Sequence, residues 1–362
     1  MNPVESSGFA VRAGAPGKII LAGEHAVVYG APVVALAVAV RAHCEVRALA
    51  EPVVRLVLRD PDQMAFCAVS GLEPLRNALD RRWASCMTGR MAISCLLAHP
   101  GDLYFYALAL LREHAPDAVM QDGGAEIVLD SQIPVGSGMG SSAATLAAVL
   151  AAVAETFRVN LTRSDLCTMI SRAERLQHGC NSSIDPQVTV HGGMVRVGKG
   201  YRELREPPSI SHWYLVHSGV PDVSTGECVS DVRHRLGSSD IWSEFHQVVT
   251  ELERAFLGRN TKDLKHYMHQ NHQLLVDIGV VPTGVQSFIR ELGTRYDAAG
   301  KISGAGAVRG EKAGCVLVYS ELSISDLCRD YGFSVTRLRC DCQGVRFYPD
   351  HARSSVLAAS CG

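Results

Sequence analysis

What the chain lacks narrows it first. None of its 12 cysteines forms a C-x-x-C pair, and only Cys340 and Cys342 sit close together. That pattern argues against a zinc ribbon or a thioredoxin-type site and suits reduced thiols in a cytosol. The formal net charge is only -2, so no global field recruits nucleic acid or a membrane surface. Ala31–Val40 is apolar, but Arg41 and His43 end it far short of a membrane span. The opening stretch MNPVESSGF lacks the basic-then-apolar plan of a signal peptide. No internal repeat or low-complexity segment is visible. The expectation is a soluble, cytoplasmic chain with no nucleic-acid and no membrane partner.

What is there suits a globular protein. The 362 residues make roughly two domains' worth, and 47% hydrophobic against 20% charged residues can bury a large core. Val33–Leu49 and Val53–Leu58 are rich in β-branched residues and read as strands, as do Ala125–Leu129, Trp213–His217 and Cys315–Tyr319, with one or two more in Val335–Phe347. Met91–Leu97 and Tyr104–Glu113 read as helices, and Phe245, Val248, Val249, Leu252, Ala255 and Phe256 give Glu244–Leu257 an amphipathic spacing. The Ala- and Leu-rich stretch from Ser141 to Phe157 is a helix with Ser141 or its neighbour placed to cap it. Thr162-Arg163-Ser164-Asp165 is a capping box opening the helix that carries Glu174. Gly198–Pro208 is rich in Gly, Pro and mixed charges, which places a domain boundary near residue 200: 1–200 and 201–362.

Pro134-Val-Gly-Ser-Gly-Met-Gly-Ser-Ser-Ala143 is the strongest local feature. Glycines at alternate positions let backbone amides approach an anion, and the free N–H groups of the following helix add a positive end that suits a polyphosphate. A glycine-rich turn that merely reverses the chain is the bland alternative. No Gly-Lys-Ser/Thr closes the loop, so it is not a Walker A loop, and its third glycine is misplaced for a dinucleotide fingerprint.

Three other segments carry weaker signals. Lys18, after the Ala15-Pro16-Gly17 turn, and Glu24-His25 between small residues could each be solvated surface. Glu174 on a helix and Asp185 on a loop or strand start after it offer carboxylates for magnesium and for a hydroxyl nucleophile; an exposed glutamate and an Asx turn are the alternative. Lys301-Ile-Ser-Gly304-Ala-Gly306-Ala is a second glycine-rich loop. His266, His269 and His272 drift around a helix at a spacing of three, which does not suit a shared metal, and Arg81-Arg82 reads as a solvated helix face.

Together and in this order, these segments resemble the GHMP kinase superfamily, and within it the mevalonate kinase branch. APGKIILAGEHAVVYGAPVVALAV (Ala15–Val38) carries the branch-specific likeness, Pro134–Ala144 resembles the phosphate loop and Lys301–Ala307 the third motif. The resemblance runs over roughly residues 11 to 320. It implies a two-domain α+β fold, with an N-terminal ribosomal-protein-like α/β domain, a C-terminal ferredoxin-like α+β domain and the active site in the cleft between them. It implies ATP and Mg2+ as cofactors and mevalonate as the small-molecule partner, and it leaves a homodimer open.

By the same resemblance, Asp185 is the catalytic aspartate and Lys18 its partner. Pro134, Gly136, Ser137, Gly138, Met139, Gly140, Ser141, Ser142 and Ala143 hold the nucleotide, and Ser142 and Glu174 ligate magnesium. Glu24, His25, Thr225 (beside Ser224), Gly304 and Gly306 attend the substrate. Two departures fall near that substrate: Asn181-Ser182-Ser183 before Ile184-Asp185, and the inserted Val308–Lys312 before Cys315.

Overall fold

The apolar, β-branched run that follows the Gly30-Ala31-Pro32 turn sets the frame of the first half. In the computed structural model, which describes residues 10–60, 62–179, 184–198, 201–208 and 210–348, Val11–Ala22 (β1) and Val33–Leu49 (β2) pair antiparallel, with register shifts at Pro16/Gly17 and Ile20/Ala22. Val53–Arg59 (β3) and Asp62–Ala68 (β4) form a hairpin, followed by Leu72–Met87 (α1) and Asp102–His114 (α2). Gly124–Ser131 (β5) inserts between β2 and β3, antiparallel to the former and parallel to the latter. Then come Ser141–Thr156 (α3), Arg163–His178 (α4), Ile184–His191 (α5), Met194–Gly198 (β6) and Tyr201–Arg205 (β7). Helix α3 is buried from Ala143 to Ala154 and packs on β1 and β2. Its alanines let helix and sheet backbones approach closely, so the element is specified by smallness as well as by helix propensity.

The second half is a separate sheet. Trp213–His217 (β8) is followed by the helices Thr225–Leu236 (α6), Ile241–Leu257 (α7), Thr261–Asp277 (α8) and Thr283–Tyr296 (α9). Ala299–Ser303 (β9), Cys315–Tyr319 (β10), Ser325–Asp330 (α10) and Ser334–Arg337 (β11) complete it, with strand order β11-β8-β10-β9, all antiparallel. The chain then returns: Arg346–Tyr348 (β12) pairs with Arg12–Gly14 on the outer edge of β1, giving the first sheet the order β12-β1-β2-β5-β3-β4, with β6 and β7 beside β2. Buried Arg41 ties this return down through an ion pair with Asp341 and hydrogen bonds to the carbonyls of Gly14 (2.9 Å) and Gly344 (2.7 Å).

The Thr162 capping box forms as read, with Asp165 N–H donating to Thr162 Oγ1 at 3.1 Å. The amphipathic helix is also present as α7, starting three residues earlier than its apolar spacing suggests. Met91–Leu97 is a correction. Only a short 3-10 turn forms there, over Ile93–Cys95. Seven residues are too few to repay helix nucleation, and Ile93 is held instead against Gly179, where a Cβ would stand 2.4 Å from its Cδ1. Gly198–Pro208 carries the β6–β7 hairpin, still in the first sheet, before the chain crosses to β8. Arg81 and Arg82 are exposed on α1.

Candidate active site

The two sheets enclose a cleft of 1570 Å³ whose floor is the glycine-rich loop leaving β5. Every residue from Pro134 to Ser142 lines it, whereas Ala143 is buried in α3 behind the wall. Gly140 occupies the N-cap of α3 with φ 69°, a left-handed conformation that glycine adopts without a Cβ clash. Of the two expected cap positions, Ser141 or its neighbour, the neighbour Gly140 holds it: Ser141 is already inside the helix, and no side chain caps it. The first N–H groups of α3 stay open toward the cleft, which is the arrangement that binds phosphate.

The second sheet braces this loop from below. A Cβ on Gly138 would stand 3.1 Å from the Ser303 carbonyl oxygen, and one on Gly304 would stand 3.2 Å from Gly138 Cα. Cys315 N–H donates to the Ser137 carbonyl at 3.1 Å. The loop after β9 and the phosphate loop thus touch backbone to backbone. Gly304 lines the cleft; Gly306 does not, because it packs on the Val280 carbonyl and borders a smaller adjoining pocket.

Four sequence-selected side chains converge beside the loop. Lys18, on β1, is 5% exposed, and its N–H donates to the Met139 carbonyl at 2.8 Å, locking strand to loop. Its Nζ lies 3.3 Å from Asp185 Oδ1. Asp185 stands in the first turn of α5, which corrects the loop or strand start read from sequence. Asn181–Ser183, the departure just before it, lies outside the described residues. On α4, Glu174 is buried and accepts a hydrogen bond from Ser142 Oγ at 2.7 Å. Burial first, and then the nearby Asp185 carboxylate, push the Glu174 carboxyl up to about 8.

Two carboxylates and a hydroxyl so placed fit a magnesium ion. Each donor is a hard oxygen, and a divalent cation relieves the burial and repulsion that hold Glu174 protonated. Among the described residues no cluster of three or more His, Cys, Asp or Glu side chains could hold a metal. Magnesium does not need one, since it keeps waters and takes phosphate oxygens alongside one or two carboxylates.

Glu24 and His25 also line the cleft; they are 2% and 5% exposed and so are not a surface turn. His25 holds φ 57°, and its Nε2–H donates to the Ala305 carbonyl at 2.9 Å, leaving Nδ1 buried without a partner. Burial keeps the ring neutral by lowering its pKa. Thr225 opens α6, which Ser224 and Glu227 cap reciprocally, and it lines the cleft together with Val229 and Arg233. These three recur at every fourth position, so they share one face of α6.

Two residues here escaped the sequence reading. Arg233 is one; its spacing from Thr225 was the available signal. The other is Lys301, which the sequence reading placed in a glycine-rich loop without a role; it lies instead in β9, fully buried and ion-paired with Glu24. The inserted Val308–Lys312 packs away from the cleft wall, with Lys312 against Gly219 and Arg309 3.9 Å from Glu227. Of the three histidines on α8, His272 is buried while His266 and His269 are exposed.

A phosphate cradle at a helix N-terminus, a lysine–aspartate pair and a magnesium-type oxygen set describe a phosphotransferase acting on an alcohol. Residues 102–193 match the GHMP kinases N terminal domain. The chain belongs to the GHMP kinase family. The mevalonate kinase of Thermococcus gammatolerans is 30% identical over 309 residues, covering 82% of this chain and 86% of that one. The crystal structure of Methanococcus jannaschii mevalonate kinase matches with a TM-score of 0.73 at 19% identity, over 93% of this chain and 99% of that one. Lactococcus lactis galactokinase, solved with galactose, matches with 0.71 at 14% identity over 93% and 95%. These two solved structures show a shared fold and do not choose between acceptors.

Proposed function

We propose that this enzyme is a mevalonate kinase, transferring the γ-phosphoryl of ATP to the primary hydroxyl of mevalonate to give 5-phosphomevalonate for isoprenoid precursor synthesis. The observation that carries the reaction is the Lys18–Asp185 contact, 3.3 Å, directly beside the phosphate loop.

Asp185 Oδ2 is placed to accept the proton of the attacking hydroxyl, because Lys18 engages Oδ1. The same Lys18 stabilises negative charge that builds between donor and acceptor. Gly136 to Ser142 and the open end of α3 hold the polyphosphate in line. Ser142 and Glu174 would hold magnesium, which when bound neutralises phosphate charge. Glu24, His25, Thr225 and Arg233 line the same cleft and would face the acceptor. Lys18 and Arg233 are the only Lys or Arg side chains among the described residues of the wall. With Lys18 engaged by Asp185, Arg233 is the cation left for a carboxylate, which favours a hydroxy acid over a neutral sugar.

We also propose that the chain divides near residue 200 into two domains, with Arg346–Tyr348 rejoining the first. Among the described residues no helix is long and apolar enough to cross a membrane, and we place the enzyme in the cytoplasm; a homodimer is its candidate assembly, to be tested by sedimentation. The function is tested by ADP release over mevalonate, phosphomevalonate, galactose and homoserine, with phosphorus NMR of the product. Turnover on mevalonate alone, with a phosphomonoester on its primary carbon, is expected. Turnover on galactose or homoserine instead would replace the acceptor while leaving the kinase.

A further inference from the structure

Lys301 lies in β9, a strand buried at all five positions, and is itself 0% exposed. A lysine so placed gives up the hydration of its ammonium, and an aliphatic residue would fill the site at far lower cost. Its Nζ makes an ion pair with Glu24 Oε1 and lies 3.4 Å from the Ile20 carbonyl. Two positions on, and on the same face of the strand, Ser303 Oγ accepts from Ile20 N–H at 2.7 Å. These two side chains reach across from the second sheet and fix the end of β1 from which Glu24 emerges.

The consequence is visible in what Glu24 leaves open. Its second oxygen, Oε2, is buried without a hydrogen-bond partner, and so is Nδ1 of the adjoining His25. Both residues line the cleft. The His25 ring is itself held by Ala305, in the loop that β9 feeds. One strand and its loop therefore hold two unpartnered buried acceptors, from consecutive residues, within the wall of the cleft. Such a pair fits an acceptor that carries a hydroxyl besides the one being phosphorylated.

We propose that Lys301 is a positioning residue for the acceptor: it holds Glu24 through Oε1 so that Oε2 receives the acceptor's second hydroxyl. This rests on the mevalonate reading, since mevalonate carries a tertiary hydroxyl beside its primary one. The groups facing the pair are Lys18 on β1, His25, Cys315 on β10 and His272 on α8. Burial raises the Glu24 carboxyl and lowers the Lys301 ammonium, and each partner opposes the other's shift. Without the ammonium, burial acts on Glu24 unopposed by its partner, and its carboxyl rises further.

The test is steady-state kinetics on the full chain carrying Lys301→Met, Glu24→Gln, both, and Lys301→Arg. Lys301→Met is expected to raise KM for mevalonate about tenfold or more while KM for ATP stays within about twofold. Its kcat/KM for mevalonate should gain an acidic limb, falling as pH drops, that both the parent and Glu24→Gln lack. The double variant should match Glu24→Gln, because Lys301 acts through Glu24, and Lys301→Arg should recover part of the loss. If KM for both substrates rises together, or the two effects multiply, Lys301 is only a structural brace and the proposal falls. Should Lys301→Met fail to fold, the comparison of Glu24→Gln with the double variant decides alone, since that variant buries no unpaired charge. A parent inactive on mevalonate overturns the substrate reading instead, and the same variants are then read with the acceptor that the panel identifies.

Discussion

Gly140 and Lys18 are in contact: a Cβ on Gly140 would stand 2.9 Å from Lys18 Cγ and 3.4 Å from Asp185 Oδ2. The residue that ends the phosphate loop is therefore also the surface against which the lysine and aspartate are set. Gly140→Ala should cost about 1–2 kcal/mol of stability for its left-handed backbone. It should also lower kcat well beyond that, by displacing Lys18. Chemical denaturation and turnover on the same sample check it; a folded variant with parental kcat would show that Lys18 tolerates the shift.

Asp185→Asn keeps the shape of the side chain and removes the base. Turnover is expected to fall about 10³-fold, the scale of a lost general base, while ATP affinity measured by calorimetry stays nearly unchanged. Activity within tenfold of the parent would assign the base elsewhere.

Arg233→Met removes the cation from the α6 face of the cleft and keeps the stem. A charge-assisted hydrogen bond contributes about 1.5–3 kcal/mol, so KM for mevalonate should rise about 10- to 100-fold with KM for ATP unmoved. Mevalonolactone, which has no carboxylate, should compete poorly with mevalonate for the parent and about equally for the variant.

The parts of this site that were legible in the sequence are those fixed by local chemistry. Thr162 and Asp165 announce a helix start because a capping box is complete within four residues. Pro134–Ser142 announces an anion cradle because alternating glycines precede an Ala-rich helix. The rest depends on contacts far apart in the chain. Nothing near Lys301 says that Glu24, in the turn that leaves β1 of the other sheet, will meet it, and the helical start at Asp185 follows from packing beside α3 and α4. Met91–Leu97 carries a helix-like pattern, yet Ile93 is captured by Gly179 at the end of α4. Serine at position 141 has the right chemistry for a cap, but Gly140 already turns the chain, and the uncapped end is what the function requires.

His272 is expected to make the fold acid-sensitive. Burial lowers its pKa from 6.5 to about 4, with His269 and Lys301 adding repulsion. Between those values the unfolded chain binds a proton that the folded chain refuses, so stability falls as pH drops through the window and is untouched above it. The loss reaches up to about 3 kcal/mol at its acid end. Urea midpoints at pH 7 and pH 5 should differ less in His272→Gln than in the parent; an unchanged difference would assign the sensitivity to other groups.

The pairing of Arg346–Tyr348 with the edge of β1 bears on how the molecule is made. As the chain leaves the ribosome, the first sheet's central strands are available early, but one flank of β1 must wait for residues synthesised more than 320 positions after Gly14. Until then an open strand edge is exposed to neighbours, and Arg41 lacks the Asp341 carboxylate that neutralises it. Order of synthesis and order of completion are therefore opposed. A ribosome-stalled or truncated chain ending before Asp341 can hold both cleft walls in outline, yet it should stick to its own kind and to chaperones until the closing strand arrives.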